Sequence, residues 1–180
     1  MSILRPEVTI EVLNERGSEY LPGYLGIEMV ELVPNSLSSR MQIRKLHFAP
    51  NDFLHAASVV ALADTTCGYA TVAHLPAGAE SFTTIELKSN HLGTLREGSI
   101  ACTATAQHLG RNTQVWDAVV TDAANGRKIA QATIVREGDK VYIGDFVLRV
   151  ESADAARPSA PPPSVSPRPT GVAEKEGEGV

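Results

Sequence analysis

Alternating hydrophobic and polar positions predict strands near the start of the chain. The pattern repeats every second residue over 24–33 and again over 37–48, which is the period of a strand with one buried face. The turn-forming triplet 34–36 (Pro-Asn-Ser) lies between them. We therefore expect a β-hairpin.

The next segment has a different character. Residues 55–74 are rich in alanine, contain no proline and are too long for an ordinary strand. Pro76 and Gly78 follow directly and are typical helix breakers. The pattern predicts one long helix that is apolar on almost every face. Such a helix has to be covered by other elements.

Strand-like alternation then returns in four segments: 82–92, 98–109, 112–121 and 128–136. Short connections join them, and one is the hairpin signal Asn125–Gly126, so we predict an antiparallel meander. Residues 140–150 alternate as well and indicate one further strand. Together the elements predict an α+β fold in which a curved antiparallel sheet of about six strands wraps a long central helix.

Composition changes after this region. Residues 151–180 are dominated by Pro, Ser, Ala, Gly and charged residues, which predicts disorder because little apolar surface is left to offset the entropy of ordering. We divide the chain into a lead-in over 1–22, one folded domain over 23–150 and a tail over 151–180.

Charge and composition exclude several classes of function. The formal net charge is −5, and no block of Lys and Arg could follow a phosphate backbone, so we expect no nucleic-acid partner. No apolar run is long enough for a membrane span or a signal peptide, which favours a cytoplasmic protein. The histidines and cysteines lack metal-ligand spacing, so we expect no metal and no cofactor.

One residue conflicts with its predicted surroundings. Asp64 is the only formally charged residue between His55 and His74, near the middle of the apolar helix. Aspartate has low propensity for a helix interior, and a buried carboxylate is costly unless it is hydrogen-bonded or reached by water. Asp64 is therefore a candidate for catalysis or ligand binding; the alternative is that it lies on a solvated stripe of the helix.

The segment HAASVVALADTTCGYA resembles the signature of hot-dog-fold acyl-CoA thioesterases, which opens with His-Gly-Gly and ends with Ala followed by Asp or Glu. The resemblance is to the phenylacetate-pathway and 4-hydroxybenzoyl-CoA thioesterase branch. It extends over 23–136, through TTIELKSNHL and GRNTQVWDAVVTDAANGRKIAQATIV. It implies the hot-dog fold, hydrolysis of an acyl-CoA thioester, a role in aromatic degradation, and a homodimer or a dimer of dimers (a homotetramer).

The same resemblance implies roles for individual residues. Asp64 matches the catalytic acid, which acts as general base or as nucleophile. His55 opens the signature, and Ala56 lies where a backbone amide polarises the thioester oxygen. Thr84 matches a residue that orients water from the partner subunit. The implied coenzyme A contacts are Ala57, Arg111, Asn112, Thr113 and, more weakly, Arg136.

Three residues depart from the family pattern. Ala56 and Ala57 stand where the signature has glycines, and Ala49 stands where the family often has Asn or Gln. An alanine at position 56 still supplies an amide at the helix terminus, so it can take the polarising role. Two alternatives follow: a hot-dog protein that binds acyl-CoA without turnover, and a hot-dog hydratase or dehydratase, whose His and acid spacings this sequence does not match.

Overall fold

The computed structural model describes residues 4–136 in full, together with the strands 140–143 and 146–149 as backbone. The predicted tail over 151–180 lies outside the described residues, so the three-part division stays a prediction. The described part of the chain contains three α-helices, one 3-10 turn and eight strands. In chain order these are α1 (Ile10–Gly17), α2 (Leu21–Leu25), β1 (Ile27–Val33), β2 (Ser36–Gln42), the 3-10 turn (Lys45–His47), α3 (Ala56–Ala73), β3 (Thr84–His91), β4 (Ser99–Leu109), β5 (Gln114–Asp122), β6 (Lys128–Arg136), β7 (Lys140–Ile143) and β8 (Phe146–Arg149).

The predicted helix and the six principal strands are all present, with ends shifted by a few residues. The sequence-based prediction missed α1 and α2 in the lead-in. Thr9 caps α1 by accepting a hydrogen bond from the amide of Val12 at 3.3 Å. Where the sequence indicated one further strand, the structure describes two short strands, 140–143 and 146–149, which pair antiparallel.

β1 to β6 form one antiparallel sheet in the order β1-β2-β4-β5-β6-β3. The expected meander is therefore correct for β4, β5 and β6 but wrong for β3, which pairs with β6 at the edge of the sheet. The reason is that β2 occupies the other side of β4. The only edge left for β3 on this side of the sheet is the free edge of β6.

α3 crosses the inner face of this sheet. Alternate residues of β5 are buried against it, including Trp116, Ala118 and Val120, each with no exposed surface. α3 is long and apolar enough to cross a membrane by length and composition alone, but half of its residues are buried in the domain, as in the core helix of a soluble protein. The face turned away from the sheet is only partly covered, and it carries Asp64.

Two buried histidines tie α3 to the rest of the domain. His47 accepts a hydrogen bond from the amide of Arg44 at 3.0 Å and donates to the carbonyl of Leu25 at 3.0 Å. His74, at the end of α3, accepts from the amide of Asn35 at 2.9 Å and donates to the carbonyl of Ala70 at 2.7 Å. Each ring accepts through one nitrogen and donates through the other, which only the neutral imidazole can do.

These contacts predict that the protein loses stability in mild acid. Burial lowers the pKa of both His47 and His74 below the usual 6.5. Below about pH 6.5 the unfolded chain therefore binds more protons than the native chain. The stability that the two neutral histidines contribute is complete above pH 6.5 and declines as the pH falls toward their lower pKa values in the folded protein. Between pH 8 and pH 5 the thermal midpoint should fall more steeply for the wild type than for His74→Gln, because the variant has one buried histidine fewer to protonate on unfolding. Equal slopes would contradict this assignment.

Candidate active site

The N-terminus of α3 presents one free backbone amide. His55 is the N-cap residue, and its Nδ1 accepts a hydrogen bond from the amide of Ala57 at 3.0 Å. Within the described residues the amide of Ala56 has no hydrogen-bond partner. All three residues are exposed. An unpaired amide at the positive end of an 18-residue helix is suited to polarise a carbonyl oxygen.

One buried carbonyl group connects the loop that leads into α3 with the first turn of that helix. The carbonyl oxygen of His47 accepts hydrogen bonds from the amide of His55 at 2.9 Å and from Oγ of Ser58 at 3.0 Å. His47 is itself buried and bonded at both ring nitrogens. The first turn of α3, with the free amide of Ala56, is thus hydrogen-bonded to a buried residue of the core.

Asp64 lies two turns further along the same helix. Its side chain is 44% exposed, and Oδ1 lies 3.4 Å from Nη1 of Arg136. Oδ2 has no partner among the described residues. Asp64 comes eight positions after Ala56, which is a rise of about 12 Å along a helix axis. One thioester carbonyl cannot contact both groups of the same chain.

Arg136 is the partner of Asp64, although the sequence indicated it only as a weak phosphate contact. Its side chain is 2% exposed, and it faces α3 instead of solvent. Burial lowers the pKa of Arg136, while the charge of Asp64 raises it. Thr84 also contacts Nη1, because Thr84 and Arg136 are direct neighbours across the β3–β6 pair. The structure therefore brings Asp64, Thr84 and Arg136 together within one chain.

Two residues that sequence reasoning did not single out complete this cluster. The guanidinium carbon of Arg136 lies 4.8 Å from the centre of the Phe82 ring, in cation–π geometry. Gly68 lies one turn after Asp64 on α3, and a Cβ atom there would come within 3.2 Å of Phe82 Cζ and 3.7 Å of Arg136 Nη2. A glycine at this position gives the ring and the guanidinium room to approach the helix.

The turn between β4 and β5 carries the predicted coenzyme contacts. Arg111 and Asn112 are exposed, whereas Thr113 is buried and its carbonyl accepts from the amide of Gly110 at 2.8 Å. Arg111 lines two cavities. One of 260 Å³ reaches inward to Arg136, and the other is an open groove of 1080 Å³. None of the three turn residues contacts Asp64. The turn is linked to Asp64 only through Arg136, which lines the inner cavity together with it.

Comparison with known proteins identifies the family. The sequence profile of the Thioesterase superfamily matches residues 51–129. A Vibrio cholerae protein named "Putative esterase" is 31% identical over 123 residues, which cover 68% of this chain and 81% of that protein. This chain belongs to the thioesterase superfamily.

Other members agree. The crystal structure of a mutant thioesterase from Pseudomonas aeruginosa has a TM-score of 0.71 and 28% identity, and the match covers 76% of this chain and 97% of that one. The 1,4-dihydroxy-2-naphthoyl-CoA hydrolase of Escherichia coli is 27% identical over 123 residues, 67% of this chain and 88% of the hydrolase. The expected hot-dog fold is confirmed, as is thioester hydrolysis at the level of the family. The narrower branch, with its link to aromatic degradation, stays a prediction.

Proposed function

We propose that this protein hydrolyses acyl-coenzyme A thioesters, of alkyl or aryl acids, to the free acid and coenzyme A in the cytoplasm. The observation that carries the proposal is the half-exposed carboxylate of Asp64. It lies on a helix, Ala56–Ala73, that has no other charged residue. A carboxylate that is exposed to solvent can also be reached by a substrate. It can then supply the base or nucleophile that thioester hydrolysis needs.

Two chemical routes use the same groups. In the first, Asp64 takes a proton from water, hydroxide adds to the thioester carbonyl, and the thiolate of coenzyme A leaves. In the second, Asp64 attacks the carbonyl and expels the thiolate, and water then hydrolyses the mixed anhydride. In both routes negative charge grows on the carbonyl oxygen, where the amide of Ala56 would stabilise it.

The distance between the two groups favours a site shared by two copies of the chain. Positions 56 and 64 lie about 12 Å apart along the axis of one helix, so we propose that a second helix brings its own group to the carbonyl. The outward face of α3 is suited to such a contact, because Val60 and Ala61 on it are apolar and only half-buried. β3 also leaves one edge of the sheet unpaired. We therefore propose a homodimer or a dimer of dimers.

Arg111 is the proposed contact for the phosphates of coenzyme A. It is exposed at the mouth of both cavities, and a guanidinium binds phosphate well. The neighbouring Asn112 and Thr113 would then face the pantetheine arm. Hydrolysis of a panel of alkyl and aryl acyl-CoAs, followed with a thiol-reactive dye, tests the function as a whole. Tight binding without thiol release would instead support the non-catalytic binding protein.

Asp64→Asn should abolish most of the turnover. The amide keeps the size of the side chain but cannot act as base or nucleophile, so kcat should fall by at least about 10²-fold with little change in KM. The measurement is steady-state thiol release. Glu28→Gln, which neutralises an exposed carboxylate on β1, is the matched control and should leave kcat unchanged. A near-normal kcat for Asp64→Asn would refute the proposed site.

Ala56→Pro should remove the polarising amide without disturbing the helix. Proline is tolerated at the first position of a helix, and His55 has the extended backbone, with ψ of 133°, that a residue before proline requires. We expect kcat to fall by about 10²- to 10³-fold, as for loss of one oxyanion donor. Ala56→Gly keeps the amide and is the control. Equal activity of the proline and glycine variants would exclude this role.

Mixing the two inactive variants tests whether the site is shared. In a dimer of one Asp64→Asn chain and one Ala56→Pro chain, one site has lost both groups and the other has both intact. Co-refolded in equal amounts, the variants should regain about a quarter of the wild-type activity, because about half of the dimers are mixed. Light scattering on the same sample reports the assembly. No recovery in a sample of dimers would exclude a site built from Ala56 of one chain and Asp64 of the other.

Arg111→Ala should weaken the binding of acyl-CoA. The contact with phosphate is present in the ground state and the transition state alike, so KM should rise while kcat stays nearly constant. The measurement is KM for several acyl-CoAs at low and high salt. An unchanged KM throughout would remove Arg111 from the coenzyme site.

A further inference from the structure

We infer that Arg136 is a positioning residue for Asp64: its guanidinium holds one oxygen of the carboxylate and leaves the other free to act on the thioester or on water. The inference rests on the proposed function. It replaces the phosphate contact that the sequence indicated for this residue with a role inside the catalytic cluster.

The strand pattern places the guanidinium against the helix. Alternate residues of β6, namely Ala130, Ala132, Ile134 and Arg136, are buried on the inner face of the sheet. The first three belong to the core beneath α3. Arg136 continues their row at the end of the strand, so an inward-facing charge takes a position that an apolar side chain would otherwise fill.

Arg136 contacts both the side chain and the backbone of Asp64. Nη1 lies 3.4 Å from Oδ1, and Nη2 donates to the main-chain carbonyl of Asp64 at 3.3 Å. Two nitrogens of one planar group therefore hold one residue at two points. A lysine ammonium would have to reach both points from a single nitrogen, because it lacks the planar fork of a guanidinium.

Two further contacts restrict the guanidinium itself. The hydroxyl of Thr84 contacts Nη1 from the neighbouring strand, and the ring of Phe82 covers one face. Asp64 therefore does not face a mobile surface arginine but one whose position is set by two other side chains. A carboxylate held in this way keeps its rotamer when substrate arrives.

The arrangement is a poor one for stability alone. The side chain of Arg136 is only 2% exposed, yet the carboxylate that it contacts is half-exposed. Among the described residues, Nε has no hydrogen-bond partner. A buried charge with an unpaired donor costs stability, and an apolar residue in this row would avoid that cost. Features that break the local rule in this way are expected where function requires them.

The contact also separates the two oxygens of Asp64. Oδ1 is engaged by Arg136, and Oδ2 has no partner within the part of the chain that the structure describes. Both routes of hydrolysis need one carboxylate oxygen at a fixed distance from the reacting atom. Holding Oδ1 fixes where Oδ2 lies, and loss of that orientation slows the chemical step more than it weakens binding.

The test compares Arg136→Lys, Arg136→Met and Arg136→Ala with the wild type. We expect kcat to fall by about 10- to 100-fold in each variant while KM changes by less than about twofold. Arg40→Met, on the exposed part of β2, is the matched control and should change neither constant. Thermal midpoints well above the assay temperature show that the variants are folded. If the alanine variant does not fold, the methionine and lysine variants still test the inference.

Rescue by added guanidinium separates positioning from a structural role. Arg136 lines the cavity of 260 Å³, so the ion has a route to the vacated position in Arg136→Ala. At non-denaturing concentrations it should restore part of the kcat of Arg136→Ala and none of that of Asp64→Asn. A merely structural role would give a lower thermal midpoint without rescue, and that result would overturn the inference.

Other outcomes are equally decisive. A raised KM with unchanged kcat would show that Arg136 contacts the ligand and would overturn the positioning role. Normal kcat in all three Arg136 variants, with Asp64→Asn inactive, would overturn this inference but leave the proposed function intact. Thiol release that is equally slow in the wild type and in Asp64→Asn would overturn both.

Discussion

The packing of α3 across the inner face of the sheet is the contact on which the rest of the structure depends. It buries Leu62, Cys67 and Ala70 completely, and it leaves the opposite face of the helix only partly covered. One helix thus serves two purposes. Its inward face holds the sheet together, while its outward face and its first turn carry the carboxylate and the free amide.

The electrostatic design of the site follows from the same contact. Asp64 lies on the outward face near its boundary with the inward one, where its carboxylate can reach solvent and also a guanidinium that comes from the sheet side. Deeper burial would close the carboxylate off from solvent, and full exposure would remove the orienting partner. The boundary position gives a charge that is both available and fixed in direction.

Much of this could be predicted from the sequence. A lone carboxylate in a long apolar helix is visible without a structure, and so are the ends of α3 and of most strands. The edge position of β3 was not predictable, because it depends on which strand edge remains free after β2 has paired with β4. Arg136 was named only as a weak coenzyme A contact, and its pairing with Asp64 was not predictable for the same reason. Its place in the alternation of β6 is readable, but its approach to Asp64 requires knowing where β6 crosses the helix.

Gly68 shows how far the site extends beyond the residues that take part in chemistry. It has no side chain and makes no polar contact through one, yet a methyl group there would already press on Phe82. Any larger residue would have to push the ring or the guanidinium away from the helix. Divergence at this position can therefore change the reactivity of Asp64 although the carboxylate itself is retained. When homologous chains are compared, the presence of the acid is then a poorer guide to activity than the absence of a side chain one turn later.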